Sequence, residues 1–131
     1  PEAGPLPVEL ETDDYVDFDR TELVYQELIE RDPQNTLLLT NYAQFLYGVR
    51  RDSIRAEHFF HRALATDPED GEVLGRFATF LWLATDDYLG AERAFRAAIA
   101  SDPANPYFSS AYTQFLWQLT NRRAEQQQQE Q

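Results

Sequence analysis

Residues 56–68 read AEHFFHRALATDP and residues 91–103 read AERAFRAAIASDP, so that Ala, Phe, Ala and a closing Asp-Pro recur 35 residues apart. The interval runs in both directions. Asp32-Pro33 precedes Asp67-Pro68 and Asp102-Pro103 by the same step, and Thr21-Glu22, Tyr25 and Leu28-Ile29 fall in register with the quoted segments. Between them Tyr42, Phe77 and Tyr112 correspond, as do Phe45, Phe80 and Phe115, Leu46, Leu81 and Leu116, and Tyr47, Trp82 and Trp117. Self-similarity at a fixed period of this size means one supersecondary unit stacked on copies of itself.

Each unit carries two apolar stripes at helical spacing: Leu38, Leu39, Tyr42, Ala43, Phe45 and Leu46, then Ala56, Phe59, Phe60, Ala63 and Leu64. The unit is therefore a helical hairpin. Asn35, Asp70 and Asn105 stand where a side-chain oxygen caps the first helix, with Pro106 at the first helical position of the last copy. Asp17, Asp52 and Asp87 stand at the same point of the second helix. Pro33, Pro68 and Pro103 end that helix, because proline lacks the amide the ladder needs and pushes its predecessor out of helical backbone. Six antiparallel helices follow, at about 18–31, 35–49, 52–66, 70–84, 87–101 and 105–120. Residues 1–17 read as an acidic, Pro-containing lead-in, residues 18–120 as the repeat domain, and residues 121–131 as a polar Gln-rich tail, a frayed helix end or disorder.

The chain of 131 residues is long enough for one domain with a continuous core. A net charge of -12, with no Lys among its basic residues, disfavours nucleic acid and anionic membrane as partners. No apolar run is long enough to span a bilayer. The absence of Cys excludes thiolate metal sites and a Cys nucleophile, and leaves the compartment open, with the cytoplasm as the default. A chain that begins at Pro1 and contains no Met reads as a processed form or a piece of a longer product.

The second helix with its Asp-Pro resembles the tetratricopeptide repeat, TPR, over residues 18–120. Ala56 and Ala91 match the family's small residue at the helix crossing, Phe60 and Phe95 its packed aromatic, Ala63 and Ala98 its second small residue. Ala43 and Ala78 stand at the small position of the first helix, and Tyr88 at the aromatic opening the second. The aromatic-rich first helices are similar to those of short plant TPR-like proteins. The unit departs from the family in having 35 rather than 34 residues, and Leu39, Leu74 and Ser109 stand where Trp is frequent. The half-a-TPR repeats of RNA-processing scaffolds are the second resemblance. The fold implied is an all-α, right-handed α-solenoid consisting of a second-type helix, two complete hairpins and a first-type helix.

The resemblance further implies a non-enzymatic adaptor or scaffold that binds a protein or peptide on the concave side, lined by the first helices. Three sets of positions there are candidates. Gln44, Thr79 and Gln114 form a polar row suited to a peptide backbone, or an ordinary solvated face. Tyr47, Trp82 and Trp117 offer flat rings to a ligand, or pack between hairpins. Thr40, Asn41, Arg76 and Ser110 add polar contacts, and Arg76 either meets a ligand carboxylate or pairs with Glu72 four residues earlier. TPR proteins that grip acidic chaperone tails use Lys, Arg and Asn on these helices. Here only Asn41 and Arg76 fit, which disfavours that ligand.

Two further readings stand beside the adaptor. An aromatic ladder beside amides suits a carbohydrate, the less favoured partner. An array that begins and ends on half a hairpin exposes apolar faces, so Phe115, Leu116 and Leu119 are candidates for homo-oligomer formation through the terminal helices. No nucleophile and base pair, phosphate loop or metal spacing is present, so no catalytic residue, metal or cofactor is expected. His58 and His61 correspond to Arg93 and Arg96 and read as a solvated face.

Overall fold

The computed structural model describes residues 17–130, and within them the chain forms six helices: α1 (Phe18–Arg31), α2 (Thr36–Gly48), α3 (Ser53–Thr66), α4 (Gly71–Ala84), α5 (Tyr88–Ser101) and α6 (Pro106–Gln129). All six expected N-caps form. Asp17, Asn35, Asp52, Asp70, Asp87 and Asn105 each accept from a backbone amide of the first turn, satisfying donors the helix itself cannot. Each second-type helix closes through one repeated turn, in which the next cap donates its amide to the Asp carbonyl: Asn35 to Asp32 at 3.2 Å, Asp70 to Asp67 at 3.2 Å and Asn105 to Asp102 at 3.0 Å.

The other type of turn also repeats. Arg51 and Asp86, 35 residues apart, take positive φ of 57° and 55°. That lets Asp52 donate to the Leu46 carbonyl at 2.8 Å and Asp87 to the Leu81 carbonyl at 2.9 Å, each reaching back six residues to close the end of the helix. The third copy does not turn. α6 continues to Gln129 instead of stopping near residue 120, because Asn121 and Arg122 replace Asp86 and Asp87 and strong helix formers follow. Arg122 fastens the extension, donating to the Tyr88 hydroxyl at 2.7 Å.

The backbones of adjacent first-type helices approach closely, α2 with α4 and α4 with α6, whereas those of α1, α3 and α5 stay apart. The array therefore curves, with α2, α4 and α6 on the inside. Ala56, Ala63, Ala91 and Ala98 are fully buried at the close crossings, where only a small side chain fits. Three triangles of rings, one per unit, join each second-type helix to the next first-type helix: Tyr25, Tyr42 and Phe45; Phe60, Phe77 and Phe80; Phe95, Tyr112 and Phe115. Their centroids lie 5.1 to 6.4 Å apart, within the range of favourable aromatic pairs.

Phe115 is thus a core residue at 1% exposure, contrary to its expected place on an open terminal face. The outer side of α6 is also more polar than expected. Where α4 buries Leu74, Ala78 and Leu81, α6 carries exposed Ser109 and Thr113 together with Leu116. Leu119 is partly covered by the core. Two polar residues at three such positions give the last helix the character of a cap. The acidic lead-in lies outside the described residues except for Asp17, which caps α1. Among the described residues no helix is long and apolar enough to cross a membrane.

Candidate functional site

On the inner face the residues of one helical stripe recur at steps of three and four: Glu72, Gly75, Arg76 and Thr79 on α4, beside Gln44 and Tyr47 on α2 and Tyr107, Phe108 and Ala111 on α6. Together they enclose a cleft of about 330 Å³ with Phe60, Phe80 and Phe95 at its floor. A second opening of about 490 Å³, lined by Glu72, Asn105, Tyr107 and Phe108, shares one wall with it. Glycine matters here at one point. A Cβ on Gly71 would come within 2.6 Å of the Phe108 ring, so the missing side chain is what lets Phe108 lie against the start of α4.

Of the expected residues, the cleft brings together Gln44, Tyr47, Arg76 and Thr79. Asn41, Trp82, Gln114 and Trp117 are on the same three helices but outside its wall. Thr40 is buried and donates to the Thr36 carbonyl at 2.7 Å, and Ser110 is exposed. The rings of the ladder divide in two. Tyr47 meets Phe80 edge-on at 5.4 Å and Trp82 meets Phe115 in the same way at 5.4 Å, so both are half-buried between units. Trp117 meets no later unit among the described residues and is 62% exposed. Gly75, Tyr107, Phe108 and Ala111 are cleft residues absent from the expected site, and Glu72, expected only as a partner of Arg76, lines the cleft as well. For Glu72 and Tyr107 the signal is the row Leu37, Glu72 and Tyr107, two turns before the polar row.

Arg76 is held from two sides. Its guanidinium donates to Glu72 Oε2 at 2.7 Å along α4 and to Gln44 Oε1 across to α2. The pairing with Glu72 read from their spacing is present, and the inner face has a cation already matched by an anion. Elsewhere His61 meets Glu57 at 3.3 Å and meets the Phe77 ring edge-on, and no cluster able to hold a metal is found among the described residues.

The densest charged constellation lies at the α1 end. Glu22, 12% exposed, accepts from the Tyr42 hydroxyl at 2.7 Å, from Arg50 Nε at 2.8 Å and from Arg55 at 2.7 Å. Burial raises its carboxyl pKa, but the hydrogen bonds from Tyr42, Arg55 and Arg50 outweigh burial and hold it below the usual range. Tyr42 moves up, by burial first and by the carboxylate second. Arg55 is raised by Asp52 and then Glu22. These groups are saturated with one another and fasten α1 to α2 and α3. A larger opening of about 650 Å³ lies on the outer side between α1 and α3, lined by Leu23, Gln26, Ile29, Tyr42, Phe59 and Arg62 among others.

The paired helices, their period and their inward-facing first helices define an all-α solenoid of the tetratricopeptide type. Among solved structures, the first TPR domain of Spaghetti (RPAP3), bound to the HSP90 peptide SRMEEVD, is similar to this chain. The match has a TM-score of 0.66 at 19% sequence identity, and covers 79% of this chain and 80% of that one. No protein-family model matches the chain. No curated protein matches it either.

Proposed function

We propose that the protein is a non-enzymatic interaction module, an adaptor or scaffold, that holds an extended segment of another protein against α2, α4 and α6. The observation that carries this is the inner cleft, in which side-chain amide and hydroxyl groups of Gln44 and Thr79 stand beside the rings of Tyr47, Tyr107 and Phe108. Amides and hydroxyls can satisfy a peptide backbone, and the rings can receive one apolar side chain. The peptide carried by the RPAP3 domain supports the same use of this fold. The aromatic ladder gives carbohydrate less support, since Tyr47 and Trp82 turn their rings into the next unit.

The test is selection from a displayed library of random 12-residue peptides, followed by binding of the selected peptides to variants. Thr79→Arg, which fills the cleft, and Tyr107→Ala, which removes its rim, should abolish or weaken binding. Leu23→Glu, on the outer opening, should leave it intact. Peptides lost on Leu23→Glu and retained on Thr79→Arg would move the function to the outer side.

A further inference from the structure

Within the reading just proposed, the charges around the cleft specify what kind of segment it takes. Among the described residues Glu72 and Arg76 are the only charged ones lining the cleft, and they are not equivalent. Arg76 is bound on both sides, to Glu72 and to Gln44, and its side chain is 35% exposed. Glu72 is 64% exposed, accepts from Arg76 on Oε2, and lines the opening it shares with Tyr107. Tyr107, at 78% exposure, is among the most exposed rings of the chain. The turn leading into α4 is acidic. Asp67, Glu69, Asp70 and Glu72 occur without a base between residues 63 and 75, and no base occurs between residues 97 and 121.

We infer that the cleft selects a basic, chain-internal segment, and that Glu72 and the Tyr107 ring together receive its Lys or Arg side chain. A cation over the face of an aromatic ring and against a carboxylate gains from both. The protein makes this arrangement with its own residues. Arg96 lies 5.8 Å over the Tyr112 ring while donating to Glu92 at 3.3 Å, and Arg50 lies 6.0 Å over Phe45 while donating to Glu22 at 2.8 Å. In the cleft, carboxylate and ring line the same opening, and among the described residues no arginine lies over the ring. A net charge of -12 draws a cationic partner from a distance and repels an anionic one. A free terminal carboxylate has no unmatched cation to meet in the cleft, so the segment is internal.

The experiment uses the library described above, with its peptides displayed so that neither terminus is free, and one selected peptide synthesised with both ends blocked. The sequences should be enriched in Lys and Arg. Glu72→Gln removes the receiving charge and frees Arg76, so affinity for the basic peptide should fall about tenfold, the value of one charge-assisted hydrogen bond. Arg76→Gln frees Glu72 and should hold the same peptide at least as tightly as the wild type. Replacing the peptide's own Lys or Arg by Gln should reproduce the loss without altering the protein. Enrichment of acidic residues, or an affinity unchanged by Glu72→Gln, would overturn the inference. Selected peptides that lack basic residues but are lost on Thr79→Arg would overturn it while leaving the interaction module standing. Failure to select any peptide would count against both.

Discussion

The edge of Trp82 meets the ring of Phe115 at 5.4 Å and 80°, and one unit earlier Tyr47 meets Phe80 at 5.4 Å and 85°. A ring of the inner face in one unit thus closes the aromatic triangle of the next. Trp82→Ala should cost about 2–4 kcal/mol in urea denaturation followed by helicity, since it leaves a gap beside a buried phenylalanine. Trp117→Ala, at a ring that is 62% exposed, should change stability by less than about 0.5 kcal/mol.

The pair of Glu22 and Tyr42 recurs as Glu92 and Tyr112 at 2.9 Å, whereas the middle unit has Phe77 and its Glu57 pairs with His61. Glu22 has its pKa lowered on folding, so the stability it contributes is present above the unfolded value and is lost as pH falls through the folded value. Unfolding free energy measured from pH 7 to pH 3 should therefore decline on the acid side. Glu22→Gln should lower stability at pH 7 and flatten that decline. Tyr42→Phe, which leaves both arginines on Glu22, should cost about 1 kcal/mol.

Arg51 and Asp86 hold left-handed backbone that disfavours a side chain. Arg51→Gly and Asp86→Gly should each raise the urea midpoint, by about 0.5–1 kcal/mol of stability after the added freedom of glycine in the unfolded chain is subtracted. Loss of stability at either position would mean that the side chain contributes more than the backbone strain costs.

Gly71→Ala should destabilise by about 1–3 kcal/mol, because the new methyl meets the Phe108 ring and Ser101 and the inner face has to shift. The same substitution should change the cleft, detectable as altered amide shifts at Gly75 and Ala111 with helicity retained.

Most of the fold is legible in the sequence, because the 35-residue period assigns every cap, every Asp-Pro stop and every ring triangle to an equivalent position. What breaks the period is harder to read. The extension of α6 depends on the absence of a turn at Asn121 and Arg122, and on Arg122 reaching Tyr88. Phe115 is indistinguishable by pattern from an exposed apolar residue at an open end, and only its seat beside Phe95 and Trp82 shows it to be core. In the sequence the candidate site residues stand in rows of equivalent positions. The cleft instead crosses rows, joining Gln44 to Arg76 and both to the rings of Tyr107 and Phe108. Contact between helices decides that, and no spacing within a single helix encodes it.

The most direct measurement is a map of backbone amide shifts as a selected, end-blocked peptide is titrated into the isotope-labelled protein. The inner face is the binding site if the largest changes fall at Gln44, Tyr47, Arg76, Thr79 and Tyr107, with little change at Leu23, Gln26 and Phe59. Changes concentrated at Leu23, Gln26 and Phe59 would contradict it and place binding in the opening between α1 and α3.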